Sequence, residues 1–330
     1  MLFAHFGPDW GLASHVSIGY LGVVLFFVLS GFLITSILLG DVEAIESRRQ
    51  TLKAAFGRFY AGRALRIFPT YYLTIAFALV AGLGMTKASF PWFATYLSNV
   101  YVVTHGLPGS STHLWSLAVE EQFYFLWPAI VFLVPRRFLM PVLAVIFAAG
   151  LIFRHRCTMM HCEYLLPACI DYLAAGAALA LTFARFPARA PTLLMTSLVA
   201  GLGLMIAASI AGTPDDWNLW NSSAMALSVW LVGKGYAGFD GPAGRLFAAR
   251  PIVYAGRISY GIYLYHNFFP EGVGKVLRFI DVDIRSRAVL AALYLTLTFA
   301  FASASWHFIE KPMRRFRHGM LRRDRGSSGQ

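Results

Sequence analysis

What this chain has least of is charge. Only 13% of its 330 residues are Asp, Glu, Lys or Arg, and 58% are hydrophobic. A soluble domain carries about a quarter charged residues. The shortage excludes an ordinary water-soluble globule and points to a polytopic membrane protein. Cysteine is equally scarce, with three in the chain, too few for the disulfide framework of a small secreted scaffold. The N-terminus lacks both a basic lead and a small-residue cleavage site, so no cleavable signal peptide is expected. Internal repeats are missing, and the polar tail Arg325–Gln330 is the single low-complexity stretch. The formal net charge of +12 would suit a nucleic-acid binder. In so apolar a chain, however, basic residues belong to cytoplasmic loops, and nucleic acid is not expected as a partner.

What is present is a series of long apolar runs. Ile18–Leu39, Ile67–Gly84, Leu114–Val134, Phe138–Phe153, Tyr164–Ala184, Thr192–Gly212, Leu219–Tyr236, Ile252–Pro270 and Ala288–Ile309 approach the roughly 20 residues that cross a bilayer. The hydrophobic start, Met1–Trp10, is about half that length. The expected fold is therefore all-α: a transmembrane helix bundle of about nine full spans plus an N-terminal partial helix. Phe90–Thr104 is shorter and is expected to lie along the surface or to re-enter. Residues 1–312 form one membrane domain on this reading, and 313–330 a basic tail.

Orientation follows from the loops. With the polar stretch Asp41–Arg66 in the cytoplasm, the inner loops and the tail hold most of the 28 lysines and arginines. The outer loops hold only Lys87, Arg154, Arg156, Lys275, Arg278, Arg285 and Arg287. That bias predicts a multi-pass topology with a cytoplasmic C-terminus, and a bacterial inner membrane is the expected location. The tail, Lys311 to Arg325, would lie against the anionic leaflet.

The chemistry concentrates in His113–Pro128, HLWSLAVEEQFYFLWP. At 3.6 residues per turn His113, Ser116, Glu120 and Tyr124 share one stripe, while Leu114, Leu117, Phe125 and Ile130 lie elsewhere and can face lipid. A carboxylate in such a run is costly and normally faces a protein interior or a wet cavity. Glu120 is thus either a structural tie between helices or part of an active site, and the second reading is preferred. His5 lies beside Gly7-Pro8 at what should be the same, outer side. Alone it would be a packed or interfacial residue. A carboxylate bonded to one imidazole nitrogen makes the other a better base, so His5 and Glu120 together suggest acid–base chemistry on a hydroxyl.

Other clusters are weaker. In FGRFYAGRALRIFP, Arg63 and Arg66 stand three apart just before an expected helix, with Pro69 in its first turn. Two guanidinium forks pointing one way suit phosphate, whereas Arg48 and Arg49 read as ordinary positive-inside charge. Ser259, Tyr263 and His266 share a face and either line a pocket or satisfy one another. Ser30 and Gly31 are small residues suited to close helix packing, and Asp171 reads as a structural carboxylate. In RHRCTMMHC (Arg154–Cys162) the ligand types allow zinc, but the spacing matches no recurring site. A Cys157–Cys162 disulfide, or no bond, is expected there, and no metal is assigned.

These residues, taken in order, resemble the acyltransferase-3 family of integral membrane enzymes. The resemblance rests on His5, GYLGVVLFFVLSGFLITSILL (Gly19–Leu39), FYAGRALRIFP (Phe59–Pro69), HLWSLAVEEQFYFLWP, ISYGIYLYH (Ile258–His266) and FIEKPMRR (Phe308–Arg315), and it covers nearly the whole chain. It implies ten membrane helices and O-acylation, mostly O-acetylation, of glycans and other small acceptors. It also implies cytoplasmic acyl-CoA as co-substrate. His5 matches the family's essential first-helix histidine, Arg63 and Arg66 its Arg-x-x-Arg motif, and Glu120 its glutamate. The family carries an arginine about ten residues before the histidine, where this chain has only four residues. The reading frame is therefore expected to continue upstream of Met1.

On this reading the chain is a membrane O-acetyltransferase. It takes acetyl-CoA and a glycan, lipopolysaccharide or other hydroxyl-bearing acceptor, and holds no permanent cofactor. CoA phosphates bind at Arg63 and Arg66. His5, oriented by Glu120, deprotonates the acceptor, or else carries the acyl group transiently. Ser116, Tyr124, Ser259, Tyr263 and His266 are the candidate pocket. The rival reading is a secondary transporter in which His and Glu relay protons; the missing inverted repeat counts against it.

Overall fold

The computed structural model describes residues 18–211 and 217–316. Among them the regular structure is helical throughout, with no strand. The apolar runs become α1 (Ile18–Glu46), α2 (Leu52–Ala81), α5 (Leu114–Leu133), α6 (Arg136–Arg156), α7 (Leu166–Arg185), α8 (Ala190–Ala211), α9 (Trp217–Ala237) and α14 (Arg287–Ser305). Between α2 and α5 lie two short helices, α3 (Phe90–Ala94) and α4 (Ser98–His105). Between α9 and α14 come α10 (Gly241–Phe247), α11 (Arg250–Arg257), α12 (Ser259–Tyr265) and α13 (Phe268–Phe279). Six stretches among the described residues are long and apolar enough to cross a membrane: α1, α2, α6, α7, Pro187–Ile210 and Arg287–Phe316. Helices α5 and α9 have comparable length, 20 and 21 residues, or about 30 Å of rise.

Helix α1 is the centre of the bundle and packs most extensively on α7, with α9, α5 and α2 around it. Its contact with α7 is close because both helices offer glycine at the crossing. A Cβ on Gly31 would fall onto the Leu173 carbonyl, and one on Gly176 onto the Val28 carbonyl. Within a membrane, where lipid is as apolar as leucine, such backbone approach is a main source of helix association. The apolar faces of α1, α5 and α7 meet in one core that includes Phe27, Leu114, Leu117 and Tyr172.

Three expectations change. The stretch Asp41–Arg66 is mostly helix, not loop: α1 runs to Glu46, and α2 starts at Leu52 behind a Thr51 cap that accepts from the Ala54 amide at 3.2 Å. Ala, Leu and Arg are good helix formers, so charge moves the segment out of lipid without breaking the helix. Arg63 and Arg66 are consequently mid-helix, and Pro69 is inside α2, where it has no N–H to give the Leu65 carbonyl. The run Ile252–Pro270 is likewise interrupted at Ile258 and at His266–Asn267, giving α11, α12 and α13 in place of one rod. Leu114 and Leu117 are buried and do not face lipid, because α1, α4 and α7 cover that side of α5; Phe125, by contrast, is exposed.

Phe90–Thr104 is held against the bundle. Tyr71 on α2 donates to the Phe93 carbonyl (2.8 Å) and Tyr72 to the Ala94 carbonyl (2.9 Å). On α5, Gln122 Nε2 donates to the Tyr96 carbonyl and to Asn99 Oδ1, both at 2.9 Å.

Candidate active site

The stripe expected on α5 forms as read: His113, Ser116, Glu120 and Tyr124 are all buried. Their partners come from helices remote in sequence. Ser30 Oγ, on α1, donates to Glu120 Oε1, and Tyr124 donates in turn to Ser30 Oγ at 3.1 Å. One turn deeper, Trp127 Nε1 donates to Thr35 Oγ1 at 2.8 Å, holding α5 and α1 in register. Ser30 therefore does more than permit close packing; it satisfies the buried carboxylate that helix geometry turns toward it. Glu120 is six residues beyond Leu114, the first residue of α5, about 9 Å of helix rise from that end.

Arg63 reaches the same place from α2. Its guanidinium lies 5.4 Å from the Tyr124 ring centroid and 5.8 Å from that of Phe59, within electrostatic reach of both Glu120 and Glu121. A cation over aromatic faces beside two carboxylates offsets their cost in a low-dielectric interior. Arg66, three residues on, is exposed. The two arginines thus divide, one inward and one outward, although helix geometry alone puts them on one face.

The other pocket candidates also separate. Tyr263, on α12, shares a hydrogen bond with Ser116 and donates to the His113 carbonyl, while its ring stacks on Phe26 of α1 at 5.7 Å. His266 is buried, its Nδ1 2.6 Å from the Tyr263 carbonyl oxygen, and its ring is 5.0 Å from that of His113. Ser259 is not part of this group. It is exposed, and its hydroxyl donates to the Gly256 carbonyl at 2.9 Å, because the break at Ile258 turns it away. His113 has Nδ1 3.0 Å from the Ser110 carbonyl oxygen and Nε2 3.1 Å from that of Leu264. With both nitrogens engaged, it pins α5 to α12. His5, the residue assigned the base, lies outside the described residues.

Other buried chemistry went unread in the sequence. Arg154 Nε and Nη2 both reach Asp171 Oδ2, at 3.1 and 2.9 Å, and its guanidinium contacts Ser222 and Asn218 of α9 and the Tyr172 ring. Asp171 thus bridges α6 and α7 through Arg154, a residue that the loop count treats only as outer-loop charge. A positive residue at the end of an apolar helix, facing a carboxylate early in the next, is the signal that would have found it. Cys157 and Cys162 are disulfide-bonded. An apolar cleft of about 450 Å³ opens between α6, α7, α8 and α9, lined by Leu143, Phe147, Ala178 and Met225 among others. It holds no ionisable side chain and is separate from the glutamates.

The model of one family, described as an acyltransferase domain, matches residues 1–307. The peptidoglycan O-acetyltransferase OatA of Listeria monocytogenes is 28% identical over 90% of this chain and 51% of its own length. Bacillus subtilis YrhL is 30% identical over 90% and 50%, and the O-acetyltransferase OatA of Staphylococcus aureus 24% over 96% and 55%. The chain spans about half the length of these curated relatives. No solved structure matches it.

Proposed function

Because the chain belongs to the acyltransferase-3 family, whose domain runs through residues 1–307, we propose that it is an integral membrane O-acetyltransferase. It moves an acetyl group from cytoplasmic acetyl-CoA to a hydroxyl of a glycan acceptor. Peptidoglycan is the acceptor that the name of the Listeria relative supplies. The observation that carries the reading is Glu120, a carboxylate buried between membrane helices and held by Ser30, with Tyr124 behind it and Arg63 beside it. Such a group is expensive in a membrane and marks function by default.

In the reaction the acceptor hydroxyl oxygen attacks the thioester carbonyl. The C–S bond breaks, and the thiolate leaves and is protonated, giving the acetyl ester and free CoA. His5 takes the hydroxyl proton as the C–O bond forms, and Glu120 orients it and balances the imidazolium charge. Arg66, exposed on α2, takes a CoA phosphate. Ser116, Tyr263 and His266 line the outer side, where the acceptor arrives.

The positive-inside bias supports a cytoplasmic C-terminus in a bacterial inner membrane. The disulfide Cys157–Cys162 then falls on the outer side, where such bonds form and persist. Membranes bearing the protein should transfer label from acetyl-CoA to a glycan fraction, and His5→Ala should abolish it. Label transfer undiminished in His5→Ala would overturn the mechanism, and none from the unaltered protein would overturn the activity.

A further inference from the structure

Three polar atoms among the described residues stand out on α2, on α5 and in the link between α3 and α4. Thr70 Oγ1, Tyr96 Oη and Glu121 Oε1 are buried and have no hydrogen-bond partner. A buried polar group left unsatisfied costs roughly 1–3 kcal/mol, and in a membrane there is no bulk water to relieve it. Thr74, one turn further along α2, shows what a threonine ordinarily does there: its hydroxyl donates to the carbonyl four residues back, at 2.8 Å. Thr70 does not.

Tyr96 is within electrostatic reach of Glu121, and Thr70 is on α2 one turn beyond Arg66. Tyr96 stacks on Tyr71, the residue after Thr70, with centroids 4.5 Å apart. Its carbonyl is held by Gln122, the residue after Glu121. Tyr260 closes the fourth side by donating to the Ile67 carbonyl at 3.0 Å, and it is within electrostatic reach of Glu121, Tyr71 and Tyr96. Tyr96 is also held at φ 55°, a left-handed conformation uncommon for a bulky residue and kept only where the surroundings enforce it. The strain aims a ring that a relaxed backbone would point elsewhere.

The donor set names the ligand chemistry. A carboxylate oxygen accepts, and the two hydroxyls can each donate. A group with an N–H beside a C=O, a secondary amide, satisfies all of them. The position names the source. Arg66 and Thr70 are an i, i+4 pair, one face of α2 and about 6 Å apart along it, so a molecule anchored by phosphate at Arg66 passes Thr70 on its way inward. We propose that Thr70, Tyr96 and Glu121 form a subsite for the amide-bearing arm of the thioester donor, between its phosphates and the reacting acetyl group. This rests on the acyl-CoA reading above.

The test compares Tyr96→Phe, Thr70→Val and Glu121→Gln with the unaltered protein in detergent or nanodiscs. Tyr96→Phe and Thr70→Val each delete a hydroxyl at nearly constant shape, and Glu121→Gln removes the carboxylate charge and places an amide N–H where an oxygen could accept. The expected result is a KM for acetyl-CoA raised roughly threefold to tenfold per variant, with the acceptor's KM unchanged. The preference for acetyl-CoA over a simple alkanethiol acetyl ester, which has no amides, should shrink by a similar factor. Ligand-free Tyr96→Phe should melt no lower than the parent, since the hydroxyl has no partner to lose. Unchanged donor KM in all three, an effect on acceptor KM alone, or a lowered melting temperature in Tyr96→Phe would overturn the subsite while leaving the acetyltransferase reading intact. Failure of the unaltered protein to use acetyl-CoA would overturn both.

Discussion

At the scale of single residues, Glu120 and Glu121 are neighbours with different surroundings. They are turned about 100° apart on α5: Glu120 meets Ser30 on α1, and Glu121 turns toward the tyrosines of α2 and α12. Glu120→Gln keeps the shape and removes the charge that would orient a base. It should lower kcat by about a hundredfold or more, with membrane insertion intact by fluorescence or protease mapping. Glu121→Gln should act mainly through the donor's KM. A near-silent Glu120→Gln beside a kcat collapse in Glu121→Gln would show that the roles are reversed. The arginines should also separate. Arg66→Ala should raise the KM for acetyl-CoA, with Lys restoring only part because it lacks the bidentate fork. Arg63→Ala, by contrast, uncovers two buried carboxylates and should lower kcat and the melting temperature together. Identical kinetic profiles for the two alanine variants would remove that distinction. Glu120 could be read from sequence because a carboxylate in an apolar run must face inward. Ser30 could not be identified as its partner, being 90 residues away on a helix whose rotation only packing sets.

At the scale of elements, the end of the site beside the start of α5 is closed by a clasp. Ser110 Oγ donates to Glu271 Oε2 at 2.5 Å, and Lys275 Nζ lies 3.1 Å from Glu271 Oε1. Lys275 also donates to the Gly82 carbonyl at 2.6 Å, at the C-terminal end of α2, where a cation is favoured. The clasp therefore ties α13, the loop before α5 and the end of α2 together. Burial alone would raise the Glu271 carboxyl, but the hydrogen bonds from Ser110 and Lys275 and the charge of Lys275 outweigh it and hold it below its ordinary value. A depressed folded-state value means that the contribution to stability is fully present above the unfolded value of about 4.3. It is lost as pH falls through the lower, folded value. Hydrogen exchange in residues 106–112 should accordingly stay slow from neutral pH down to about pH 5, after correction for intrinsic rates, and quicken only under stronger acid. Glu271→Gln should exchange faster at neutral pH. Equal protection in that variant would leave the clasp without a role in holding the loop. None of this was legible in advance, since Ser110 and Glu271 are 161 residues apart and both look like loop polarity.

At the scale of the whole molecule, one buried ion pair joins helices that the site needs in place. The buried pair Arg154–Asp171 links α6 to α7 and, through Asn218 and Ser222, to α9. Arg154→Leu strands a buried carboxylate and should cost about 3–5 kcal/mol, whereas Arg154→Met with Asp171→Leu should recover most of it. Thermal unfolding in detergent measures both, and a double variant no better than the single one would mean that the pair does more than neutralise itself. The orientation has a direct check in Cys157 and Cys162. After mild reduction, an impermeant maleimide should label them in intact spheroplasts. Labelling only after permeabilisation would invert the topology.

Sequence alone determined the solvent, the helical class and the face of α5 that carries Glu120. Those follow from composition and from a period of 3.6 residues, which are local properties. The motif order identified the family as well. Tertiary structure decided which partners meet those faces: Ser30 with Glu120, Arg154 with Asp171, Gln122 with the Tyr96 carbonyl. It also decided where helices start and break. Arg63 and Arg66 are inside α2 rather than before it, and Ser259 is turned out of the pocket. The physical reason is that helix rotation and kinking are set by side-chain packing between segments far apart in the chain. Such packing has no local period to read.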